Sequence, residues 1–358
     1  MNSGPANLES DLHQRLAGLL LGTAVGDALG LPAEGLSRHR IERRWHGNWQ
    51  HRFALGHGMC SDDTEHSFFV AQALLLHPND PVAFQRCLAW KLRFWLLGVP
   101  AGIGLATLRA ILKLWLGFPP TRSGVFSAGN GPAMRSGIIG AYFFDDPIIR
   151  KEFVSAATRL THTDPKAEVA ALAVAEAAAW AVLGQEPLTE LASKLSGIGG
   201  GEEWAVICRK LEHGLAKGTS VFAFADALGL RNGVSGYAYH SVPIALYACL
   251  RSPNDFREAL TSALNCGGDT DTVGAIVGAL AGASVGTSGI PPEWLSGICE
   301  WPRSLKVLGQ AGERLAEQKL EAGALGPIKY FWPGLVPRNL AFLLIVLGHG
   351  FRRLFPPY

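Results

Sequence analysis

The segment Asp269-Thr-Asp-Thr-Val-Gly-Ala-Ile-Val-Gly-Ala-Leu-Ala-Gly-Ala-Ser-Val-Gly286 decides which fold this chain can adopt. Glycine recurs at every fourth position from residue 274 to residue 286, which places these glycines in one row along a helix face. Each glycine inside a helix costs roughly 1 kcal/mol relative to alanine, and close contact with a neighbouring helix offsets that cost. The uncharged run is too short to span a bilayer. The pattern predicts a central buried helix with Asp269, Asp271 and Thr272 at its entrance.

A second segment, Gly22-Thr-Ala-Val-Gly-Asp-Ala-Leu-Gly30, has the same small-residue character. It is too rich in small residues for a surface helix, so we predict a buried segment where two backbones approach closely. Ahead of it, from Asp11 onward, leucines recur at helical spacing.

Helical patterns cover most of the remaining chain. Asp164 followed by Pro165 has the residue types of a helix N-cap and first helical position. Almost no segment shows the period-two alternation that is typical of a strand. We therefore predict an all-α fold of many packed helices. The predicted helical runs include 64–76, 82–97, 105–117, 167–183, 202–216, 221–229 and 240–250.

Two short acidic clusters each stand just before a predicted helix. One is Ser61-Asp-Asp-Thr64 and the other lies in Asn265-Cys-Gly-Gly-Asp-Thr-Asp-Thr272, about two hundred residues later. Carboxylate and hydroxyl oxygens are the ligands that hard divalent cations prefer. If the fold brings the clusters together, four carboxylates repel one another unless cations hold them. Spacing alone leaves a simpler alternative open, in which these acids only cap their helices, as Asp63 would do for the run 64–76.

Composition and charge limit the possible partners and the compartment. The chain of 358 residues is long enough for two domains, yet no stretch has the composition of a linker. A formal net charge of +2 with scattered Lys and Arg argues against a dedicated nucleic-acid face. The six cysteines show no C-x-x-C pair and no secretory signal precedes them, so we expect reduced thiols in a cytoplasmic protein. Cys60 and Cys266 are predicted to be small apolar fillers, and Trp90, Trp95, Trp115 and Trp180 core residues.

The end of the chain differs in character. Leu340-Ala-Phe-Leu-Leu-Ile-Val-Leu347 is strongly apolar, and Arg352-Arg353 follows it. The run is too short to cross a membrane, which favours a terminal helix docked on the body of the protein. The alternative is an interfacial anchor whose arginines face lipid phosphates.

Taken together, these motifs resemble those of the ADP-ribosylglycohydrolases. The resemblance extends over residues 12–290, in the family's order, and residues past about 320 lie outside it. It implies a compact multi-helix bundle over residues 11–320 with a central cleft for two metal ions, followed by an extension over 321–358. The matching stretches are Gly22–Glu34, Ser61–Thr64, Gly129-Asn-Gly-Pro-Ala-Met-Arg135, Thr161-His162 and Asn265–Thr272.

The resemblance also implies a role for individual residues. Asp62, Asp63 and Glu34 would act in catalysis, Glu34 as a mobile acid that closes over the metals, although an exposed loop acid would look the same. The cofactors would be two Mg²⁺ or two Mn²⁺ ions. A glycine loop at residues 100–104 would wrap the diphosphate, and His162 would lie near the distal ribose unless it is only a structural histidine. The implied metal ligands are Ser61, Asp62, Asp63, Asp269, Asp271 and Thr272. The implied substrate contacts are Gly102, Ile103, Gly104, Ser127, Gly129, Asn130 and His162.

The expected reaction is hydrolysis of the glycosidic bond between ADP-ribose and an acceptor on a protein or a small molecule, with release of ADP-ribose. The loop around Gly102 lacks the Asp that family members acting on ADP-ribosylated arginine often carry, which weakens the case for that acceptor. Two alternatives are a non-catalytic, crystallin-like relative that binds ADP-ribose and a metal-dependent phosphoesterase. Peripheral membrane contact through the C-terminal helix is a less favoured expectation.

Overall fold

The protein is an assembly of packed α-helices, seen in a computed structural model that describes residues 5–184, 188–321 and 323–355. These residues form seventeen α-helices and several 3-10 turns, and no strand. The all-α prediction is therefore confirmed. The helices, numbered α1 to α17 in chain order, are Pro5–Gly30, Arg38–Trp45, Asp62–Leu76, Pro81–Leu97, Leu105–Trp115, Gly137–Tyr142, Pro147–Arg159, Pro165–Leu183, Leu188–Gly197, Gly201–Ala216, Val221–Ala227, Ala238–Arg251, Phe256–Leu264, Thr270–Val285, Pro292–Ser296, Leu305–Glu321 and Leu335–Arg352.

The predicted helical runs are confirmed to within a few residues, and Asp164 caps α8 through its carboxylate, which accepts the backbone N–H of Lys166 at 2.9 Å. The cap of α3 differs from the prediction. Ser61 is the N-cap, and its hydroxyl accepts the backbone N–H of Asp63 at 3.3 Å, so Asp63 lies inside the helix.

An antiparallel pair, α1 and α14, forms the centre of the molecule. Each glycine row faces backbone of the opposite helix, with Gly22 against Gly278 and Gly26 against Gly274. A Cβ built on Gly278 would lie 2.0 Å from the carbonyl oxygen of Gly22, so only glycine permits this separation. Both glycine segments are therefore buried by close backbone contact, as predicted, and α1 runs unbroken through Gly30.

The other helices surround this pair. Helices α3 and α16 pack against α1, while α8, α12 and α13 pack against α14, and α6 bridges to α8. One hydrophobic cluster runs through the whole body. Because α14 and α3 both begin near one end of the central pair, the residues that precede them are brought to the same region.

Helix α17 is docked on the body through one face. Arg338 makes a bidentate ion pair with Glu300, at 2.7 and 2.8 Å, and both side chains are buried. Asn339 donates to the carbonyl of Gly98 at 2.8 Å, and the ring of His349 stacks on Phe53. The docked terminal helix that the sequence favours is therefore present.

Among the residues that the structure describes, two apolar helices have the length and composition to cross a bilayer. One window, Asp11–Ala33, is 94% buried and belongs to the central helix of the core. The other, Trp332–Arg352, has 21 residues and is only 22% buried, so the prediction that this run is too short to cross a membrane is wrong as to length. The prediction that all four tryptophans lie in the core is wrong for Trp90 and Trp115, which are 53% and 43% exposed.

We expect Gly278→Ala to destabilise the protein by about 3 kcal/mol or more, because the added methyl meets the backbone of α1, which has no side chain to move aside. The free energy of unfolding measured by chemical denaturation tests this. Gly348→Ala in α17 is the matched control, since its Cβ would meet nothing within 4 Å. A Gly278→Ala variant as stable as the control would contradict the close-packed central pair.

Candidate active site

A cleft of about 530 Å³ opens where α3 and α14 begin. Its volume lies within the usual range for a small-molecule site. The cleft is lined by both acidic clusters and by the loops that the sequence assigns to substrate. Of the predicted site residues, those on its wall are Glu34, Asp62, Asp63, Gly102, Gly104, Ser127, Gly129, Asn130, His162, Asp269, Asp271 and Thr272.

Two predicted residues do not line the cleft. Ser61 is buried directly behind it, and its hydroxyl donates to Asp63 Oδ2 at 3.2 Å. The side chain of Ile103 packs against the hydrophobic core.

Asp27 of α1 positions the first acidic cluster. Its Oδ2 atom accepts the backbone N–H groups of Ser61 at 2.9 Å and Thr64 at 3.2 Å, and the Thr64 hydroxyl at 2.5 Å. Burial raises the pKa of Asp27 to about 6, although these hydrogen bonds act in the opposite direction. Asp27 therefore supplies a carboxylate to the otherwise unpaired amides at the start of α3 and joins that end to the central helix.

A tight turn of two glycines positions the second cluster. Gly267 and Gly268 have φ values of 71° and 87°, a region that favours glycine. A Cβ on Gly268 would lie 1.8 Å from the carbonyl oxygen of Val234. Directly after the turn, the Asp269 N–H donates to Val234 at 2.9 Å, and Asp269 Oδ2 accepts from Asn130 Nδ2 at 2.6 Å.

The two clusters touch each other inside the cleft. The hydroxyl of Thr272 donates to Asp63 Oδ2 at 3.3 Å, the same oxygen that accepts from Ser61. Asp271 and Asp63 are buried, and Asp62 is half-buried. Residues separated by about two hundred positions in the sequence are thus within hydrogen-bond distance.

The carboxylates raise one another's pKa. Burial raises the pKa of Asp62, Asp63 and Asp271 well above the usual value, and the charges of neighbouring carboxylates raise each further. For Asp271 the neighbours are Glu34, Asp269 and Asp63. Without cations, the cluster is therefore held at an electrostatic cost.

The donor set fits divalent cations. Asp63 Oδ1 and Asp271 Oδ1 are buried and have no hydrogen-bond partner, which is costly unless a ligand meets them. Within the described residues, no three His, Cys, Asp or Glu side chains form a metal cluster by themselves. The fit therefore rests on the chemistry of the oxygen donors and on these two unpartnered atoms. Sulfur is unsuitable, because burial raises the pKa of the Cys60 and Cys266 thiols.

His162 and two glycines also line the cleft. A Cβ on Gly129 would lie 3.1 Å from His162 Nε2, and one on Gly131 3.2 Å from Cε1, so the bare backbone leaves room beside the ring. His162 Nδ1 is 2.9 Å from the Thr161 hydroxyl, which also accepts from buried Arg135 at 2.5 Å. Burial, and then the charge of Arg135, lowers the pKa of His162 to about 3, so the imidazole is neutral.

Glu34 lies at the exposed rim of the cleft. Partial desolvation by the surrounding protein raises the pKa of Glu34, and the negative charge of Asp269 raises it further. The positive charge of Arg353 acts in the opposite direction. Arg353 of the C-terminal extension donates to the carbonyl of Pro32 at 3.3 Å, two residues before Glu34. Gly102, which also lines the cleft, is exposed with a φ of 80°, and no atom would meet a Cβ there within 4 Å.

Three contributors to the cleft have no role in the sequence-based prediction. Asp27 is one, and the signal for it is a single carboxylate inside a buried small-residue helix. The Arg338–Glu300 pair is another, because Glu300 accepts the Cys60 N–H and Arg338 donates to the Cys60 carbonyl, next to Ser61. The segment 234–236, which lines the cleft beside Asp269, is the third. No local pattern in the sequence distinguishes the last two.

Comparisons with known proteins identify the family of this chain. Residues 8–324 match the ADP-ribosylglycohydrolase family. The chain is 33% identical over 298 residues to an uncharacterized protein of Archaeoglobus fulgidus, covering 80% of this chain and 92% of that protein. It is 29% identical over 295 residues to the ADP-ribosyl-[dinitrogen reductase] glycohydrolase of Rhodospirillum rubrum, covering 80% and 90%. ADP-ribosylhydrolase ARH3 of Gallus gallus is 26% identical over 355 residues, covering 85% and 94%.

A solved structure described as an ADP-ribosylglycohydrolase-related protein complex shares the architecture. Its TM-score is 0.63 at 26% identity, with 87% of this chain and 99% of that chain covered. Because the family match extends over most of the chain, the chain belongs to the ADP-ribosylglycohydrolase family.

Proposed function

We propose that this protein is a metal-dependent hydrolase that cleaves the glycosidic bond between ADP-ribose and an acceptor and releases ADP-ribose. One observation carries the proposal: two acidic clusters far apart in the sequence line one cleft together with a glycine loop suited to phosphate. The names of the R. rubrum and G. gallus relatives support the same reaction class.

The metal ligands in this proposal are the oxygens of Ser61, Asp62, Asp63, Asp269, Asp271 and Thr272. Two Mg²⁺ or Mn²⁺ ions there would bind the ribose hydroxyls, orient a water molecule and lower its pKa. The unpartnered oxygens of Asp63 and Asp271 and the raised pKa values of these groups support this choice of ligands.

The remaining walls would hold the rest of ADP-ribose. The backbone at Gly102 and Gly104 is open, so its amides are accessible to diphosphate oxygens. Neutral His162 and the backbone of Gly129 and Gly131 would contact the distal ribose, since a neutral imidazole can accept or donate one hydrogen bond to a hydroxyl.

Glu34 is the best candidate for the general base. Both oxygens of Asp63 are committed, Oδ2 to two hydroxyls and Oδ1 to the proposed metal, whereas Glu34 stands at the rim with a raised pKa. In the reaction, the water oxygen bonds to the anomeric carbon as the bond to the acceptor breaks. One water proton passes to Glu34, and the acceptor atom takes one proton from solvent as it leaves. Glu34 then returns its proton to solvent, so that no net proton is gained or lost.

The group that carries ADP-ribose in the substrate can be identified by a substrate panel. The loop at Ala101-Gly102-Ile103 carries no acid to meet a guanidinium. A panel of substrates carrying ADP-ribose on arginine, on serine, on a nucleic-acid base or on a small molecule, assayed with Mg²⁺ or Mn²⁺, identifies the linkage. Release of AMP in place of ADP-ribose would indicate a phosphoesterase and contradict the proposal.

Asp271→Asn is expected to lower the rate of ADP-ribose release by at least about a hundredfold, because a neutral amide is a poor ligand for a hard cation. Chromatography of the released nucleotide measures this rate. Asp145→Asn, which breaks an exposed pair with Lys319, is the control and should retain activity. Equal rates in the two variants would remove Asp271 from the mechanism.

Metal ions are expected to raise the melting temperature of the wild-type protein by about 5 °C at saturation. In EDTA, Asp271→Asn should melt at or above the wild-type temperature, because it removes one of several mutually repelling carboxylates. The same variant should show little increase with Mg²⁺. Thermal unfolding followed by calorimetry tests both effects, and a wild-type protein indifferent to divalent ions would argue against the metal site.

Glu34→Gln is expected to lower kcat by about 10² to 10⁴-fold while the metal-induced rise in melting temperature is retained, because Glu34 is assigned to proton transfer. Steady-state kinetics and thermal unfolding on the same preparation separate these roles. Unchanged kcat would exclude Glu34 as the general base.

A further inference from the structure

The outer face of α17 is apolar along its full length. Val336, Leu340, Leu344, Leu347 and Phe351 recur at intervals of three or four residues, and each is more than half exposed. No charged side chain falls between Arg338 and Arg352. A continuous apolar stripe of this length exceeds what a soluble monomer ordinarily leaves to water.

A large apolar cavity adjoins this stripe. Its volume is about 900 Å³, and Trp332, Leu335 and Val336 on one side face Trp90, Phe94 and Leu97 of α4 on the other. Lys91 also stands on its wall, half-buried, and forms no ion pair with any acid in the described parts of the chain. A cation placed in an apolar cavity without a counter-ion favours an amphiphile that has an anionic head.

The two chain segments that contain α4 and α17 carry basic residues and no acidic ones. Residues 81–118 contain five Lys or Arg and residues 323–355 contain four, of which Arg338 is buried and paired with Glu300, and neither segment contains an Asp or Glu. The whole chain has a formal net charge of only +2, so these two segments are more basic than the rest of the chain. Aromatic side chains stand at both ends of α17, with Phe331 and Trp332 before it and Phe351 and Phe355 at its end, all exposed. This distribution is typical of the membrane–water interface.

We propose that the outer face of α17 and the adjoining cavity form a lipid-binding surface that holds the enzyme on an anionic bilayer. The helix lies on the membrane and does not span it. Spanning would break the buried Arg338–Glu300 pair and the Asn339 bond to Gly98, and would carry those polar groups into hydrocarbon. The apolar stripe enters the acyl region, and Lys91 and Arg352 meet lipid phosphates.

The surface is connected to the cleft by short segments. Leu97 at the end of α4 and Gly98 directly after it line the cavity, and Gly102 and Gly104 in the same loop line the cleft. At the other end of α17, Arg353 bonds to the Pro32 carbonyl beside Glu34. Membrane attachment would therefore place the cleft close to the bilayer surface.

The test is flotation of the full-length protein with vesicles of phosphatidylcholine, with and without phosphatidylglycerol. The wild-type protein should float with the anionic vesicles and less with the neutral ones. Leu344→Glu combined with Leu347→Glu should lower the partition coefficient at least about tenfold. Lys91→Gln should lower it about fivefold on anionic vesicles only.

Ile148→Glu combined with Leu188→Glu is the matched control, because both residues are exposed on α7 and α9, outside this surface. All variants should retain wild-type circular dichroism and ADP-ribose release from a soluble substrate. Vesicle binding and ADP-ribose release are measured independently, so the membrane proposal can be wrong while the proposed catalysis holds, and the reverse.

The apolar face of α17 could instead be covered by a second copy of the chain. Sedimentation velocity tests this alternative because it measures whether the protein is a monomer or a dimer. A wild-type protein that floats with no vesicle overturns the proposal. So does a wild-type dimer that Leu344→Glu combined with Leu347→Glu converts to monomers without changing vesicle binding.

Discussion

The contact on which the structure depends is the backbone-to-backbone packing of α1 against α14. Glycine on both helices lets the two axes approach so closely that a methyl group on Gly278 would occupy the position of a carbonyl oxygen of α1. This contact has a consequence for the site, because each helix carries part of it. Helix α1 presents Asp27 to the start of α3, and α14 begins with the second acidic cluster. The separation of the two helices therefore sets the separation of the two clusters.

The cleft is built at an electrostatic cost. Buried carboxylates that raise one another's pKa, and two buried oxygens without partners, destabilise the fold in isolation. Many other contacts hold these groups in place, including the bonds from Asp27 to Ser61 and Thr64 and the bond from Asn130 to Asp269. A rigid frame around repelling charges is the arrangement that a cation-binding site requires, since binding then relieves strain that folding has already imposed.

The C-terminal extension is more than an appendage to this frame. Its buried Arg338, with Glu300, holds the peptide of Cys60 from both sides, one residue before Ser61. Its last turn reaches the segment that carries Glu34. The same helix presents apolar side chains to solvent on its other face. The C-terminal extension thus contacts the residues around the site through polar side chains, while the outer face of α17 exposes apolar side chains.

Some features of this protein were determined by sequence alone. Helical periodicity and the four-residue glycine spacing are local properties, so the all-α class, most helix positions and the buried central helix could be predicted. The motif resemblance named both acidic clusters and most of the loops on the cleft wall, but not segment 234–236. It also gave no role to Asp27, whose carboxylate meets amides that follow it by more than thirty positions. Other features depended on tertiary structure. Ser61 is the N-cap of α3 because its backbone is extended there. The exposure of Trp90 and Trp115 depends on which neighbouring residues cover them in the fold. The distance between Asp63 and Thr272 and the clamp on Cys60 also required folding, because pairwise contacts between remote residues leave no periodic signal in the chain.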